Sequence, residues 1–517
     1  MRITNRMMTN NMLYNINNNK RTMNGLEEKY ATGLAIQRPS DDPIVAVRAL
    51  KLRTNLSELN QYYEKNIPDA MSWMETTESA LKVTSEIITN IHTYCVQGAN
   101  DTLTEEDRRS IAINLQELRS QVYQEGNANY AGRYLFTGYK TNTPLVFGDE
   151  SHTEHYTITE TMTTDQVEIS KRIVDTCPYN EFDIENYDSF DTEIRPNEVT
   201  VYRLRLSYDE LKSVEDGASI SLKIPSKLED GTYELDDEGN RIYTDEFSES
   251  DMVTLTSKDP LAYKPEEDEI HFLADTGEII LGSAVYSQFR YSDFEITYEK
   301  QDFEKNELRP EHYFDCVKRD LSIEDETERE ELAIRYTAED QKIAFEINFN
   351  QQMPINVQGR DAFRHSLGRT IDDVVQAIGD VDRVKQEIED VKLAMKDDTI
   401  TDEQRTKLSD ILDVLNTELD LKDGIMRQAY AKALTGMSQE EDIVNVATAD
   451  IGTRYNRLEL TQSRLSTQQT EFTDLLSQNE DADLVDTVVN YNAMQTVYNA
   501  SLSSAAKVVK NTLLDFL

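Results

Sequence analysis

The sequence predicts an α+β multidomain protein: both chain ends form one long, coiled-coil-like helical bundle, and a mostly β domain is inserted between them. Near both ends, apolar residues recur at the spacing of a helix packed along its length. Between residues 148 and 360 they alternate with polar residues, as in half-buried strands. At 517 residues the chain is too long for one hydrophobic core, so several domains are expected.

The strongest helical stripe lies in the closing segment, from Leu484 to Leu517. Its positions are spaced by fours and threes, with Gln495 in the one polar slot, which is typical of a heptad seam. From the residues alone, the seam packs either on the protein's own bundle or on a partner. The predicted C-terminal assembly seam is Leu484, Val488, Tyr491, Tyr498, Leu502, Ala505, Val509, Leu513 and Phe516.

A weaker stripe runs through the opening segment, which Gly33 is expected to end. One position falls on Asn15 or Ile16. Asparagine is a poor helix former and, at a seam position, lowers stability while fixing register. We therefore expect this segment to be helical only when packed. The predicted N-terminal assembly seam is Met8, Met12, Asn19, Met23, Leu26 and Tyr30.

A long core helix is predicted to start at Pro43, which suits the first helical turn, and to end at Gly98. Ser40, Asp41 or Asp42 can cap its start. Pro68 predicts a kink. The core seam of this helix and of a later one is predicted at Leu52, Leu56, Leu59, Leu81, Ile88, Ile91, Ile451, Leu458 and Leu465.

Thr104 and Asp107 have the spacing of a capping box, which predicts another helix that ends by Gly126. Residues 134–139 resemble a short strand and turn.

Within residues 148–360, Asp-Glu-Gly-Asn at 237–240 and Asp-Thr-Gly-Glu at 275–278 predict hairpin turns. The polar run 320–333 predicts a short helix.

Helical spacing returns after Gly359. Two antiparallel arms are expected at 370–396 and 401–435, then a separate helix at 438–479, and Asp483 is expected to cap the last helix.

These patterns divide the chain into five predicted domain segments. They are an N-terminal assembly helix disordered in the monomer (1–42), the N-terminal half of a helical core domain (43–147), an acidic, outward-facing, mostly β insertion (148–360), the C-terminal half of the core domain with an extra helical pair near 370–435 (361–482), and a C-terminal assembly helix (483–517).

The chain is strongly acidic, with a formal net charge of −45. The charge is uneven: residues 148–360 hold 53 acidic and 21 basic residues, whereas the first 100 hold 10 and 11. Phosphates would be repelled by such a surface, so neither nucleic acid nor an anionic membrane is expected as a partner. An acidic insertion would keep neighbouring copies apart, although a plain solvated surface explains the charge equally well.

No cofactor, metal or catalytic site is predicted. The sequence has no phosphate-binding glycine loop and no HExxH helix. His152, Glu154 and His155 form the nearest approach to a metal motif, but zinc needs three or four ligands of fixed geometry. A surface strand or loop explains them better. Cys95 and Trp73 are interpreted as packing residues.

Three distant cysteines, Cys95, Cys177 and Cys316, provide no disulfide framework. The Asn-rich start, Met1 to Lys20, lacks the apolar run of a secretory signal, and no 18-residue apolar stretch predicts a membrane span. Composition alone would therefore indicate a cytosolic protein.

Short motifs near both ends resemble those of the bacterial flagellin superfamily and, within it, of the subunits between hook and filament. Several occur in the family's order, over roughly residues 1–147 and 440–517. They are Met1-Arg-Ile-Thr, Ala31-Thr-Gly-Leu, Pro39-Ser-Asp-Asp-Pro43, Thr76-Thr-Glu-Ser-Ala-Leu81, Tyr134-Leu-Phe-Thr-Gly138, Ile451-Gly-Thr-Arg-Tyr-Asn-Arg-Leu-Glu459 and Leu513-Leu-Asp-Phe-Leu517.

The resemblance implies a structural subunit that is exported unfolded by the flagellar type III apparatus and acts outside the cell, which replaces the cytosolic prediction. The implied partners are further copies in a ring, hook-associated protein 1, flagellin, the filament cap protein during assembly, and a cytoplasmic export chaperone. A filament flagellin is the alternative, and a flagellin-like protein with an enzymatic insertion is a distant one. A cytosolic coiled-coil adaptor would fit the periodicity but not the motifs. The large insertion and the extra helical pair exceed the common family pattern.

Overall fold

A computed structural model gives the fold of the chain. It describes residues 5–100, 103–176, 195–212, 219–226, 232–236, 241–289, 293–396 and 400–514.

The chain forms two compact units. The first comprises Met1–Met71, Phe345–Met353 and Asn456–Leu517, and the second comprises Ser72–Ala344 and Pro354–Tyr455. The predicted α+β class is confirmed, since long helices form both ends and strands fill the middle of the sequence. The five predicted domain segments stay a prediction.

The helices occupy the two ends of the chain, with two short ones among the strands. They are α1 (Asn5–Thr32), α2 (Pro43–Gln61), α3 (Ile67–Gly98), α4 (Glu105–Glu125), α5 (Ser283–Phe289), α6 (Glu326–Glu331), α7 (His365–Ala394), α8 (Asp402–Glu480) and α9 (Leu484–Leu514).

Several predicted helix boundaries are confirmed by backbone geometry. Gly33 follows α1 with a φ of 74°, where glycine avoids the strain of a side chain. Thr104 and Asp107 form the predicted capping box at the start of α4. The Asp483 carboxylate accepts a hydrogen bond from Asp486 N at 3.1 Å at the start of α9. The short helix predicted in 320–333 is α6.

Pro68 disturbs its helix without breaking it. Between α2 and α3 lies one π-helical turn, Tyr62–Asn66, which ends directly before Ile67 and Pro68. Because proline lacks an N–H, it cannot continue the normal hydrogen-bond ladder, and a π-helical turn is a common response to such an interruption. The helix is therefore locally widened just before Pro68, and the predicted kink stays a prediction.

The predicted break near residue 436 was wrong, because α8 is continuous from Asp402 to Glu480. Gly436 and Ser438 suggested a helix end, yet both lie inside α8. A helical glycine costs only about 1 kcal/mol relative to alanine. Packing outweighs this cost, since the neighbouring Met437 is fully buried.

The short strand and turn predicted at 134–139 are confirmed in part. Only Arg133 and Tyr134 pair with a neighbouring strand, and Gly138 adopts a φ of 60° in a turn. Leu135 and Phe136 are buried in the loop that follows the strand, so their apolar character reflects core packing without sheet pairing.

The strands lie mainly between residues 151 and 354. They are β1 (Asn129–Tyr130), β2 (Arg133–Tyr134), β3 (Ser151–Met162), β4 (Glu168–Val174), β5 (Asn197–Arg205), β6 (Ser221–Pro225), β7 (Tyr243–Ser248), β8 (Val253–Leu255), β9 (Ile270–Leu273), β10 (Glu278–Leu281), β11 (Phe294–Phe303), β12 (Asp315–Asp320), β13 (Ile334–Tyr336), β14 (Ala344–Asn348) and β15 (Gln351–Pro354).

Two sheets form the insertion in the second unit. One has the order β4-β5-β10-β9-β8 and the other β13-β12-β3-β11-β6-β7. Their apolar faces share a single hydrophobic cluster, with Leu204 and Ile279 contributed by the first sheet and Tyr156 and Ile296 by the second. The sequence left one or two lobes open, and the structure has one core that both sheets share, with a separate smaller cluster that includes Val201, Leu273 and Ile280.

The hairpin predicted at 275–278 is confirmed, since β9 and β10 pair in antiparallel register with Leu273 opposite Glu278. Gly277 in this turn has a φ of 61°. The turn predicted at 237–240 lies outside the described residues.

Replacing Gly277 by alanine is expected to destabilise the second unit. The new Cβ would lie 1.9 Å from Tyr208 O, and a positive φ disfavours any side chain. We expect Gly277→Ala to lower the free energy of unfolding by about 2 kcal/mol. Urea denaturation followed by the fluorescence of Trp73, the single tryptophan of the chain, measures this change.

Gly379→Ala is the matched control in the same unit. Gly379 lies inside α7, and a Cβ there would meet no atom within 4 Å. This substitution should raise stability by about 0.5–1 kcal/mol, because alanine is the better helix former. Equal effects of the two substitutions would contradict the steric argument at Gly277.

Candidate assembly interface

In the first unit, α1 and α9 pack together as an antiparallel pair. The end of α1 lies beside the start of α9, where Ala482 N donates a hydrogen bond to Gly33 O at 2.8 Å. Farther along both helices, Asn19 Nδ2 donates to Ser501 Oγ at 3.1 Å. The structure thus brings together the two segments whose stripes predicted assembly helices.

The inner face of α1 is spaced by threes and fours and includes Ile16, which is buried, whereas Asn15 is exposed. Met8 and Tyr30 of the predicted seam are exposed. The predicted seam residues that are partly buried on the inner face are Met12, Asn19, Met23 and Leu26.

The inner face of α9 follows the same spacing but differs in phase from the prediction. Met494, not Gln495, is partly buried, and Leu484 and Leu502 are exposed. Ser501 takes the inner position next to Leu502 because Asn19 of α1 offers it a hydrogen bond. The predicted seam residues that are partly buried are Val488, Tyr491, Tyr498 and Ala505. The side chains of Val509, Leu513 and Phe516 lie outside the described residues.

An outer apolar face remains exposed on three helices of the first unit. Its most exposed member, Val485, retains 77% of its side-chain accessibility. Most of this face was not predicted from the sequence, because one apolar stripe per helix was predicted and a second stripe lies next to the first. The outer apolar face consists of Met7, Met8, Leu13, Tyr14, Tyr30, Ile44, Val47, Leu50, Leu484, Val485, Val489, Val497 and Leu502.

The same two terminal helices carry long stretches without acidic or basic side chains. None occurs from Met7 to Asn19 or from Thr487 to Ala506, although charged residues make up 29% of the chain. Two copies of a protein with a net charge of −45 repel each other. These stretches therefore offer a surface where copies can meet without direct charge repulsion.

The turn before α2 is organised by two neighbouring aspartates. Asp42 caps the helix, since its carboxylate accepts hydrogen bonds from Ile44 N at 3.0 Å and Val45 N at 3.2 Å. Asp41 instead accepts from Arg38 N at 3.0 Å within the turn. Of the caps that the sequence left open, Ser40, Asp41 and Asp42, only Asp42 performs this role among the described contacts, and Pro43 takes the first helical position.

In the first unit, α2 packs antiparallel to the end of α8. Asn479 Nδ2 donates to Val45 O at 3.2 Å, and Gln469 Nε2 donates to Asn60 Oδ1 at 2.9 Å. Leu52 and Leu56 of the predicted core seam are partly buried here, and the seam residues that are fully buried in this unit are Leu59, Leu458 and Leu465.

In the second unit, α3 packs antiparallel to an earlier part of α8. Ser85 Oγ donates to Asn445 Oδ1 at 3.1 Å, and Thr89 Oγ1 donates to Glu441 Oε1 at 3.2 Å. The core-seam residues that are fully buried in this unit are Leu81, Ile88, Ile91 and Ile451.

The histidine motif does not form a metal site. His152 Nδ1 lies 2.7 Å from Asp302, His155 faces Glu299 at 3.4 Å, and Glu154 pairs with Lys318. Within the described part of the chain, no three His, Cys, Asp or Glu side chains are placed to share a metal ion.

Cys95 and Cys316 are buried free thiols, and burial raises the pKa of the Cys95 thiol to about 12, which keeps it protonated and unreactive. Cys177 lies outside the described residues. Trp73 is buried edge-on against Tyr130. None of the described helices has the length and apolarity needed to cross a membrane.

Models of known protein families match both ends of the chain. Residues 3–141 match the bacterial flagellin N-terminal helical region, and residues 434–517 match the bacterial flagellin C-terminal helical region. Both ends of the chain are therefore similar to the helical regions of bacterial flagellins. The paired helices α1 and α9 therefore lie in the two matched flagellin regions, and the β insertion lies between them.

Relatives that match this chain include a flagellar hook-associated protein and a flagellin. The flagellar hook-associated protein 3 of Salmonella typhimurium is 34% identical over 142 residues, which are 27% of this chain and 44% of that protein. A flagellin of Clostridium tyrobutyricum is 34% identical over 125 residues, 24% of this chain and 33% of that protein. The chain thus spans less than half the length of these curated relatives.

Among solved structures, the flagellar hook-associated protein 3 of Legionella pneumophila aligns with 83% of this chain and 97% of its own. Its sequence identity is 10% and the TM-score is 0.29.

Proposed function

We propose that this chain is a structural subunit of the bacterial flagellum that joins the hook to the filament. The observation that carries a structural role is the outer apolar face, most of whose residues lie on the two flagellin-type terminal helices. Contiguous exposed apolar surface on a soluble protein marks an interaction site. The junction position rests on the end motifs and on the similarity to hook-associated protein 3.

The proposed contacts follow from that position. Copies of the chain form a ring, with hook-associated protein 1 on the hook side and flagellin on the filament side. The filament cap protein is present during assembly, and an export chaperone binds the chain in the cytoplasm before the flagellar type III apparatus exports it. The acidic insertion would face outward, and no step requires catalysis, a cofactor or a metal.

Folding of the terminal helices is proposed to accompany assembly. Burying one large apolar side chain contributes about 1.5–3 kcal/mol. Among the described side chains of α1 and α9, Ile16 is the one buried hydrophobic residue, so the pair alone buries little apolar surface. Contacts of the outer apolar face with neighbouring subunits would supply the missing stabilisation. Because the terminal helices would be ordered only within the assembly, the chain would not polymerise before export.

A filament flagellin is the second candidate, because the Clostridium tyrobutyricum flagellin is as similar over its matched region as hook-associated protein 3. Deleting the gene in its own bacterium distinguishes the two. A junction subunit predicts completed hooks without filaments and flagellin lost to the medium, because flagellin has no surface to add to. Electron microscopy and immunoblotting of the medium measure both results, with restoration of the gene as control.

Filaments that are short or of normal length in the deletion strain would contradict the junction role and favour the second candidate.

Introducing a charge on the outer apolar face is expected to block assembly. Leu502 is 43% exposed in the structure. Burying an unpaired aspartate is strongly unfavourable, so Leu502→Asp should reduce the number of filaments per cell by at least about tenfold. The measurement is electron microscopy of the deletion strain carrying the variant, with immunoblotting to show that the variant is still exported.

Val446→Asp is the matched control for this substitution. Val446 is also an exposed apolar residue, but it lies on α8 in the second unit and is not a member of the outer apolar face. This variant should retain normal filament numbers. If Leu502→Asp supports as many filaments as Val446→Asp, the outer apolar face is not the subunit contact.

Limited proteolysis tests coupled folding and assembly. In a verified monomer, protease should remove residues up to about 40 and from about 480 faster than it cleaves the remainder, because ordered packing protects backbone from cleavage. Mass spectrometry of the fragments locates the cuts. Terminal segments that resist cleavage as well as the second unit does would refute coupled folding.

A further inference from the structure

A dense group of charged side chains lies where the five-stranded sheet meets α7 and α8, within the second unit. Arg203 on β5 is 2% exposed. Its guanidinium contacts Glu278 on β10 at 2.6 Å, Glu168 on β4 at 2.6 Å, and Asp373 on α7 at 2.9 Å. One arginine therefore links three elements of the insertion and one helix.

A second ion pair crosses the same interface. Lys432 on α8 lies 2.6 Å from Glu168 and 3.5 Å from Asp373. Arg205 on β5 also pairs with Asp373. We call the set Glu168, Arg172, Arg203, Arg205, Glu278, Asp373 and Lys432 the ion latch.

The strand pattern explains why charged side chains of β5 meet the helices. Successive side chains of β5 alternate between faces. Leu204 belongs to the hydrophobic cluster between the two sheets, so Arg203 and Arg205 point to the opposite face. That cluster includes no residue of α7 or α8. Undocking this part of the sheet would expose paired charges that water can solvate, and would leave the apolar core of the insertion closed.

Two carboxylates of the ion latch, Glu168 and Glu278, remain ionised at neutral pH. Burial opposes ionisation of Glu278, but the guanidinium groups of Arg172 and Arg203 outweigh it and hold the Glu278 pKa well below its usual range. Burial also opposes ionisation of Glu168, and Arg203 and Lys432 lower its pKa to about 2. Both carboxylates therefore keep their negative charge at neutral pH.

An aromatic contact fixes the insertion at another place on α7. His365, in the first turn, packs against the rings of Tyr208, Tyr313 and Phe314 at centroid distances of 4.8, 4.7 and 5.3 Å. The ion latch contacts α7 about two turns later, at Asp373. The insertion therefore contacts α7 through apolar packing at His365 and, farther along the helix, through ion pairs at Asp373.

We propose that the ion latch is a reversible joint, through which the five-stranded sheet opens from α7 and α8 and closes again without unfolding of either side. The joint pivots at the aromatic contact around His365. Loads on the insertion are absorbed by breaking ion pairs whose charges water then solvates, and the pairs reform because their partners stay in register on folded elements.

A cysteine at position 377 can report opening. Ala377 on α7 is buried and lines the cleft beside β4, together with Ile169 and Ala429. The rate at which Ala377→Cys reacts with a water-soluble thiol reagent, corrected by the same chain without the reporter, measures solvent access to the joint. Trp73 fluorescence and far-UV circular dichroism measure global folding in the same samples.

Asp373→Asn removes the α7 carboxylate that Arg203 and Arg205 share. We expect it to accelerate labelling of the reporter by at least about tenfold, with Trp73 fluorescence and the circular dichroism spectrum unchanged. Lys432→Met should accelerate labelling less, because this lysine is partly exposed. Lys171→Met is the control, since its ion pair with Glu198 lies within the sheet, and it should leave the labelling rate unchanged.

Unchanged labelling in both Asp373→Asn and Lys432→Met would overturn the proposal, because the latch would not control access. Labelling that rises only together with Trp73 exposure and loss of circular dichroism would also overturn it, because opening would then require unfolding. Equal acceleration by Lys171→Met would show that loss of any charge on the sheet suffices, and would exclude a specific joint.

Discussion

Antiparallel packing of the early helices against the late ones is the constraint on which the rest of the structure depends. In the first unit α1 packs on α9 and α2 on the end of α8, and in the second unit α3 packs on an earlier part of α8. The contact between Asn60 and Gln469 joins residues 409 positions apart. Asn60 and Gln469 cannot meet until the chain between them has been synthesised. The insertion lies in that intervening chain and forms its own core.

Apolar packing and ion pairs stabilise different parts of the second unit. Apolar burial holds the insertion together, since both sheets contribute to one cluster, and a separate cluster that includes Val384 and Leu415 joins α7 to the first part of α8. Ion pairs connect the five-stranded sheet to those helices through Arg203 and Asp373. Apolar clusters resist opening because water solvates them poorly, whereas ion pairs exchange partners with water more readily.

Local signals in the sequence were sufficient for the fold class and for most helix ends. Capping by Thr104 and Asp107 depends on residues three apart, and the strand period of two depends on neighbours. The phase of the α9 seam was predicted less well, because the choice of Ser501 over Leu502 depends on Asn19 in a distant helix.

The ion latch could not be predicted from the sequence, because its members come from β4, β5, β10, α7 and α8 and meet only through the sheet order. The continuous α8 was missed for a similar reason, since burial of Met437 outweighs a local glycine. The outer apolar face of the first unit was predicted in part, and the motifs at both ends indicated the family whose models match those ends.

The uncharged stretches of α1 and α9 affect how strongly contacts through them depend on salt and pH. Added salt screens exposed ion pairs, and acid or alkali titrates them. Apolar and side-chain amide contacts contain no group that titrates in the ordinary pH range, and salt does not screen them. Direct contacts through Met7 to Asn19 and Thr487 to Ala506 would therefore depend little on ionic strength and acidity.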